Sequence, residues 1–349
     1  MRTTETRKRL FLLLLVPLLG SCVNMGYYLQ SVGGQTGILE KERPIETVLS
    51  DPSTPPDLKR RLENVLRIRE FASRELALPD NRSFRSYADL GRPYVLWNVF
   101  AAPEFSVKPK EWCFVFAGCV SYRGYFSESD AYRFADNLQI DGYDVYVAGV
   151  PAYSTLGWFN DPVLNTFIYD PETEVAGLIF HELAHQVLYV QDDSTFNESF
   201  AVTVQEEGVS RWLAKYGTPE QRQAHDVALQ RKDDFIQLVM KYRRMLDELY
   251  RSDISDEKKR ENKRQIFNEF KQGYAELKKK WGGYSGYDQW FPPVPNNAYL
   301  ASLTTYTQLV PEFQKLLAKN EGNLAKFYQA VKEIAKLPEK ERLAKLKEG

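Results

Sequence analysis

Two histidines four residues apart in an apolar run constrain this chain more than anything else in it. The run is Gly177-Leu178-Ile179-Phe180-His181-Glu182-Leu183-Ala184-His185-Gln186, and Asn197-Glu198-Ser199-Phe200-Ala201 follows. The first part is an H-E-x-x-H motif. On a helix His181 and His185 lie one turn apart on the same face, and two neutral imidazoles at that spacing can bind one Zn²⁺. Glu182 sits beside them, where a carboxylate can take a proton from a water at the metal. Leu178, Ile179, Leu183, Val187 and Leu188 would bury the other face of the same helix.

A catalytic zinc needs a third protein ligand and an open position. Glu198, on what reads as the next helix, is the candidate. Its competing role is structural, since Thr195 and Glu198 also fit a capping box. Glu206 and Glu207, two to three turns on, are the reserve ligands or a partner to a ligand histidine. The chain of 349 residues has three histidines, and the third, His225, is distant. No histidine follows at the spacing of the longer metzincin motif.

The N-terminus opens with Arg2, Arg7, Lys8 and Arg9, then an apolar stretch from Leu10 to Leu19, then Leu19-Gly20-Ser21-Cys22. This is a secretory signal too short to span a bilayer as a helix. Small residues before a cysteine match a bacterial lipobox, so Cys22 is the expected lipidated first residue of the mature chain, tethered by lipid. Val23 in place of Asp points to the outer rather than the inner membrane. The remaining cysteines, Cys113 and Cys119, are an expected disulfide in an oxidising periplasm. A formal net charge of −1 gives no footprint for nucleic acid.

Four regions follow: residues 1–21 as signal peptide, 22–56 as an anchor-proximal segment, 57–216 as a catalytic core and 217–349 as a helical C-terminal lobe. Gly26 to Leu39 reads as a short helix or a linker. Asp57 to Leu76 is an amphipathic helix, while Tyr94–Phe100, Trp112–Tyr122 and Tyr143–Val150 read as strands of a mixed sheet. Thr218-Pro219-Glu220-Gln221 starts a new helix. The 4-3-4-3 spacing of Phe235, Val239, Tyr242, Leu246 and Leu249, with Ile266, Phe270 and Leu277 beyond, predicts a long helical hairpin. The fold class expected is therefore α+β and zincin-like: a small mixed-sheet lobe, an active-site helix, then a predominantly helical C-terminal lobe.

Ala152 to Leu156 is the expected edge strand above the metal, or the loop beside it, where an extended peptide pairs; Tyr153 and Ser154 are candidate substrate contacts. Asn296 and Asn297 are further candidates in the C-terminal lobe. Tyr306, with Tyr299 as its competitor, is the candidate donor to the oxyanion of the tetrahedral intermediate.

Taken together, several stretches resemble the bacterial predicted-aminopeptidase lipoprotein family. They are the lipobox, Gly26-Tyr27-Tyr28-Leu29-Gln30, Trp112-Cys113 to Gly124-Tyr125-Phe126, Pro151 to Phe159, His181 to Gln186, Asn197 to Ala201 and Asn296-Asn297-Ala298. The resemblance covers nearly all of the mature chain. It implies a zinc peptidase acting on N-terminal residues of peptides, at the periplasmic side of a membrane. A zinc endopeptidase and a non-catalytic metal-binding lipoprotein scaffold are the alternatives.

Overall fold

The computed structural model describes residues 22–114, 118–288 and 291–348. The expected signal peptide and the side chain of Cys22 lie outside the described residues. In chain order come α1 (Cys22–Leu39), β1 (Arg43–Pro44), α2 (Ile45–Ser50), α3 (Pro56–Glu75), β2 (Ser86–Ala88), β3 (Leu96–Pro103), β4 (Trp112–Phe114), β5 (Gly118–Val120), β6 (Arg123–Tyr125) and α4 (Glu128–Ile140). Then follow β7 (Tyr143–Val150), β8 (Val163–Leu164), α5 (Glu172–Val187), α6 (Ser194–Tyr216), α7 (Pro219–Arg251), α8 (Asp256–Lys280), α9 (Asn297–Thr307), α10 (Val310–Lys319), α11 (Leu324–Ala335) and α12 (Glu339–Lys347). The architecture is α+β, and the segment from Gly26 to Leu39 is helical.

The principal sheet is antiparallel with order β6-β3-β7, and the one parallel pairing among the described strands joins β2 to β8 in a separate small sheet. Side chains alternate across a strand, so the principal sheet has two distinct faces. Trp97, Val99, Ala101 and Val145 pack with Ala131, Ala135 and Leu138 of α4. On the other face, Leu96, Asn98 and Phe100 of β3 stand opposite Val150, Ala148 and Tyr146 of β7, and this face is a wall of the central cleft. Strands β4 and β5 form a separate hairpin in which Cys113 faces Cys119, and the two are joined as a disulfide, as expected. Gly118 there has φ +73°, and a Cβ on it would fall 2.6 Å from the Asp192 carboxylate. Glycine thus lets Asp192 accept the Cys119 N–H at 2.6 Å, docking the stapled hairpin onto the turn between α5 and α6.

Helices α5 and α6 lie against each other through small residues. A Cβ at Gly177 would come within 3.2 Å of Gln205 and Val209, and one at Gly208 within 2.6 Å of the Phe180 ring. Around this pair runs one apolar core, from Ile38 and Leu62 through Phe180 and Phe200 to Phe313, Phe327 and Leu346. It therefore takes in α10, α11 and α12 as well as the helices before residue 217. Arg342 on α12 is the polar clasp: its guanidinium donates to Asp193 at 2.7 Å, with both side chains about nine-tenths buried. Asp193 is also the N-cap of α6, accepting from Phe196 N–H. Thr195 lies inside the helix, so Glu198 has no capping duty.

The hairpin of α7 and α8 closes on Phe235, Val239, Tyr242 and Leu246 against Ile266, Phe267 and Phe270, as the 4-3-4-3 spacing predicts. Thr218 and Gln221 form a reciprocal capping box at the start of α7. Lys263 pairs with Asp144 of β7 at 2.7 Å and Arg260 with Glu104 at 2.8 Å. The hairpin is thereby fixed to the sheet and supplies another side of the cleft.

Candidate metal centre and cleft

Helix packing brings the three expected ligands together. His181 and His185 project from one face of α5, with ring centroids 4.9 Å apart and planes 83° from parallel. Glu198, one turn into α6, places Oε2 3.2 Å from His181 Nε2 and 3.6 Å from His185 Nε2. One donor atom from each of the three lies within 4.8 Å of the others. The group can hold a metal ion. All three side chains are at most 12% exposed, so their affinity is not spent on bulk water.

The electrostatics of the two glutamates diverge. Burial works against the charge of Glu198, but His185 and His181 override it and hold the carboxyl down at about 2. Glu182, buried on the same helix, is pushed up to about 8 by burial; His181 opposes this, while Glu198 and Asp161 add to it. A dication between His181, His185 and Glu198 would draw Glu182 back toward its charged form. Two carboxylates side by side are thus set for different work: one to remain an anion, one to move a proton near neutral pH.

Gln205 completes the support of His181. Its Oε1 lies 3.1 Å from His181 Nδ1, placed to accept an Nδ1 proton and so leave the Nε2 lone pair for a metal when one is bound. The expected reserves do not reach this place. Glu206 accepts from Lys232 at 2.7 Å and from Gln314 at 2.9 Å, and Glu207 accepts from Arg211 at 2.7 Å. Neither is a ligand. Gln205 was not foreseen, because its role depends on the close approach of α5 and α6 that Gly177 permits. A Gln205→Ala variant is expected to bind zinc about 10- to 100-fold more weakly with its helical content intact, read by chelator competition and circular dichroism. Undiminished affinity would remove Gln205 from the site.

The centre opens into a cleft of about 1730 Å³. Tyr306 of α9 is on its wall, its ring 6.5 Å from the His181 ring. Burial first, then Glu198, keeps its phenol neutral far above the ordinary range, so beside His181 it stays an O–H donor. Leu309 N–H donates to Ser199 Oγ at 3.2 Å, fastening the end of α9 to α6. Tyr122, just after β5, lines the same cleft, and the same causes keep its phenol neutral. Nothing in the local sequence around Tyr122 separates it from the other tyrosines, of which the chain has 21. Tyr299 also lines the cleft, with its ring packed among Tyr146, Phe270 and Phe291.

Ala152 to Leu156 is the loop beside the edge, and the edge itself is β7, whose outer side has no strand partner among the described residues. Tyr153 and Ser154 both line the cleft; the Tyr153 hydroxyl donates to Gln35 and Ser154 Oγ accepts from Leu156 N–H at 3.0 Å. Asp161 holds this loop by accepting from Thr155 Oγ1 at 2.7 Å and Thr155 N–H at 3.2 Å. Burial lifts Asp161 to about 6 against those bonds. Gln186, next to His185, accepts from Asn81 at 2.6 Å and donates to Ser83 Oγ at 3.2 Å, and the same Ser83 Oγ accepts the Asp161 N–H at 3.3 Å, so the loop is linked to this helix through Ser83 and Asp161.

Asn296 and Asn297 do not meet the cleft. Asn296 caps α9 and donates to the Val145 carbonyl at 2.9 Å. Asn297 is fully buried; it donates to the Glu104 carbonyl at 2.9 Å and accepts from the Tyr250 hydroxyl at 2.8 Å. Their expected role in substrate binding gives way to that of a joint between sheet, hairpin and α9, because every strong donor and acceptor is committed there.

A family model described as "Putative aminopeptidase" matches residues 26–346. Neither the curated proteins nor the solved structures contain a match to the chain.

Proposed function

Since the chain belongs to the family described as "Putative aminopeptidase", we propose that it is a zinc metallopeptidase of zincin-like, gluzincin type that removes N-terminal residues from peptides. The observation that carries this reading is the ligand triangle. Nitrogen and oxygen ligands about 2.0–2.2 Å from a tetrahedral zinc stand roughly 3.3–3.5 Å apart; the two sides to Glu198 are 3.2 and 3.6 Å, and all three donor atoms lie within 4.8 Å of one another. Two histidines and a glutamate are also the donor set of hydrolytic rather than structural zinc sites. Bound there, zinc would supply Lewis acidity toward a peptide carbonyl and its attacking water.

The remaining steps fall to the chain's own residues. Glu182 accepts the proton of the attacking water and passes it to the departing amine. Tyr306 donates its O–H to the oxygen that becomes negative as the carbonyl is attacked. The side of β7 that has no strand partner among the described residues, beyond the Val145 carbonyl held by Asn296, and the cleft face of the sheet receive the peptide. Tyr306→Phe is expected to lower kcat about 10²- to 10³-fold with KM little changed and zinc retained; an unaltered kcat would assign Tyr306 to packing against His181.

Exopeptidase and endopeptidase readings separate on a matched peptide set, with amino termini free or acetylated, offered to zinc-loaded and to chelated protein. Stepwise release from free termini alone is the expected result. Internal cleavage of acetylated peptides would make the chain an endopeptidase. Hydrolysis of neither would leave a metal-binding scaffold.

The same proposal includes location: export by residues 1–21 and lipidation at Cys22, with the body at the periplasmic face, the outer membrane preferred. The lipobox supports it, and so does the Cys113–Cys119 disulfide, which suits an oxidising compartment. No helix among the described residues is long and apolar enough to cross a membrane.

A further inference from the structure

We infer that the outward stripe of α1 and the loop carrying Trp158 and Phe159 form a lipid-contacting surface, so that the cleft opens at the bilayer. The inference rests on lipidation at Cys22 as proposed above.

Helix α1 begins at Cys22 itself, so no linker separates an anchor there from the folded body. The helix is fixed along its inner stripe. Tyr27 stacks on Phe114 with centroids 5.0 Å apart. Gln30 accepts the Phe126 N–H at 3.0 Å and donates to the Gly124 carbonyl at 3.4 Å. Gly34 lies under the Phe126 ring, where a Cβ would overlap it at 2.1 Å. A helix held this way cannot swing away from the body to let it stand off the membrane.

The outer stripe carries two large aliphatic side chains among small residues, with Thr36 as its polar member. Leu29 is 66% and Val32 64% exposed. At 100° per residue, position 22 falls seven residues before Leu29 and therefore on the same face. Position 22 and the Leu29–Val32 stripe therefore fall on one side of the helix. Single exposed apolar residues are ordinary on a protein surface; alignment with the anchor makes these different. Trp158, 75% exposed, and Phe159, 47% exposed, share the cleft with Tyr28, Ser31 and Gln35 of α1. Tryptophan at a membrane interface places an apolar ring and a polar N–H at the headgroup level. From Cys22 to Gln35 the helix rises about 20 Å, so peptide enters this cleft close to the lipid surface.

The test uses the full lipidated protein in vesicles of phosphatidylethanolamine and phosphatidylglycerol. With Cys22 acylated and Cys113 bonded to Cys119, a single introduced thiol accepts an environment-sensitive fluorophore. Labels at Leu29→Cys and Trp158→Cys should shift to the blue and lose about twofold or more of their intensity to doxyl-labelled lipid. An interfacial apolar face sits about 5–10 Å into the headgroup–acyl boundary, within reach of that quencher. A label at Ile140→Cys, on the helix covering the opposite sheet face, should do neither. Acylated, vesicle-bound protein with Leu29 and Ile140 labels equally unquenched overturns the inference alone. Shielding of the Leu29 label in native membranes but not in pure vesicles assigns the stripe to a protein partner and likewise overturns it. Absence of acyl mass on Cys22 in native membranes overturns the anchored reading, and this inference with it.

Discussion

Zinc-loaded protein carrying Glu182→Gln is expected to keep its metal and lose about 10²- to 10⁴-fold in kcat, the contribution of a positioned general base. Glutamine matches the shape of glutamate and can still contact the attacking water, but it cannot take the proton. Full zinc content with an unreduced kcat would remove Glu182 from the chemistry. A second readout separates base from packing. In chelated protein the folded-state carboxyl titrates at about 8, against 4.5 for an unperturbed glutamate. The folded chain therefore holds this proton more tightly than the unfolded chain. The associated stability is present below pH 4.5 and is lost as pH rises through 8. Glutamine never ionises, so the chelated variant should melt above chelated wild type at pH 8 to 9. The gap, on the order of a few kcal/mol, should close toward pH 5. A gap independent of pH would mean that ionisation of Glu182 is not what the fold resists.

That stability cost bears on what could be read from the sequence. A helix whose apolar face is complete enough to bury Ile179, Phe180, Leu183 and Ala184 places His181, Glu182 and His185 by periodicity alone. The pattern alone therefore locates the motif and points to the role of each member. Glu198 was legible for a weaker reason: a carboxylate near the start of the next helix. What decides its role is that the helix is capped by Asp193 rather than Ser194 or Thr195, a difference of one residue in where the chain turns. The hairpin of α7 and α8 was legible because its 4-3-4-3 apolar pattern needs no partner except itself.

The rest depended on contacts between segments far apart in sequence, to which periodicity is blind. Gln205 is a polar residue on a mostly buried helix, and only the Gly177 approach gives it His181 as a neighbour. Tyr122 follows a short strand of the disulfide hairpin and reaches the cleft because β6 pairs with β3. Asn296 and Asn297 misled for the opposite reason. Adjacent amides at a helix start read as ligand contacts, but Asn296 serves as the cap and Asn297 is drawn inward by Glu104 and Tyr250. The helices after residue 309 share the core of the metal helices through Phe313 and Phe327, a pairing that nothing in their own amphipathic patterns specifies.

Removal of Glu198, the proposed third ligand, carries the other large expected effect. In Glu198→Ala the two imidazoles remain on α5, one turn apart, but the anion that neutralises a dication between them is gone. Loss of an outer-shell partner typically costs 10- to 100-fold in metal affinity; loss of a charged ligand should exceed that. Protein dialysed free of excess metal should therefore carry about one zinc per chain as wild type and far less as the variant, by elemental analysis. Rescue from the neighbouring acids is closed, because Glu206 is held by Lys232 and Gln314 and Glu207 by Arg211. The fold should survive, since the start of α6 is secured by Asp193 and its contact with Arg342 rather than by Glu198, and circular dichroism reports that independently. Equal zinc in both proteins would strip Glu198 of its role and leave a two-histidine site. Zinc in neither, after reconstitution with excess metal, would end the peptidase reading, since Glu182 and Tyr306 would then have no electrophile to serve.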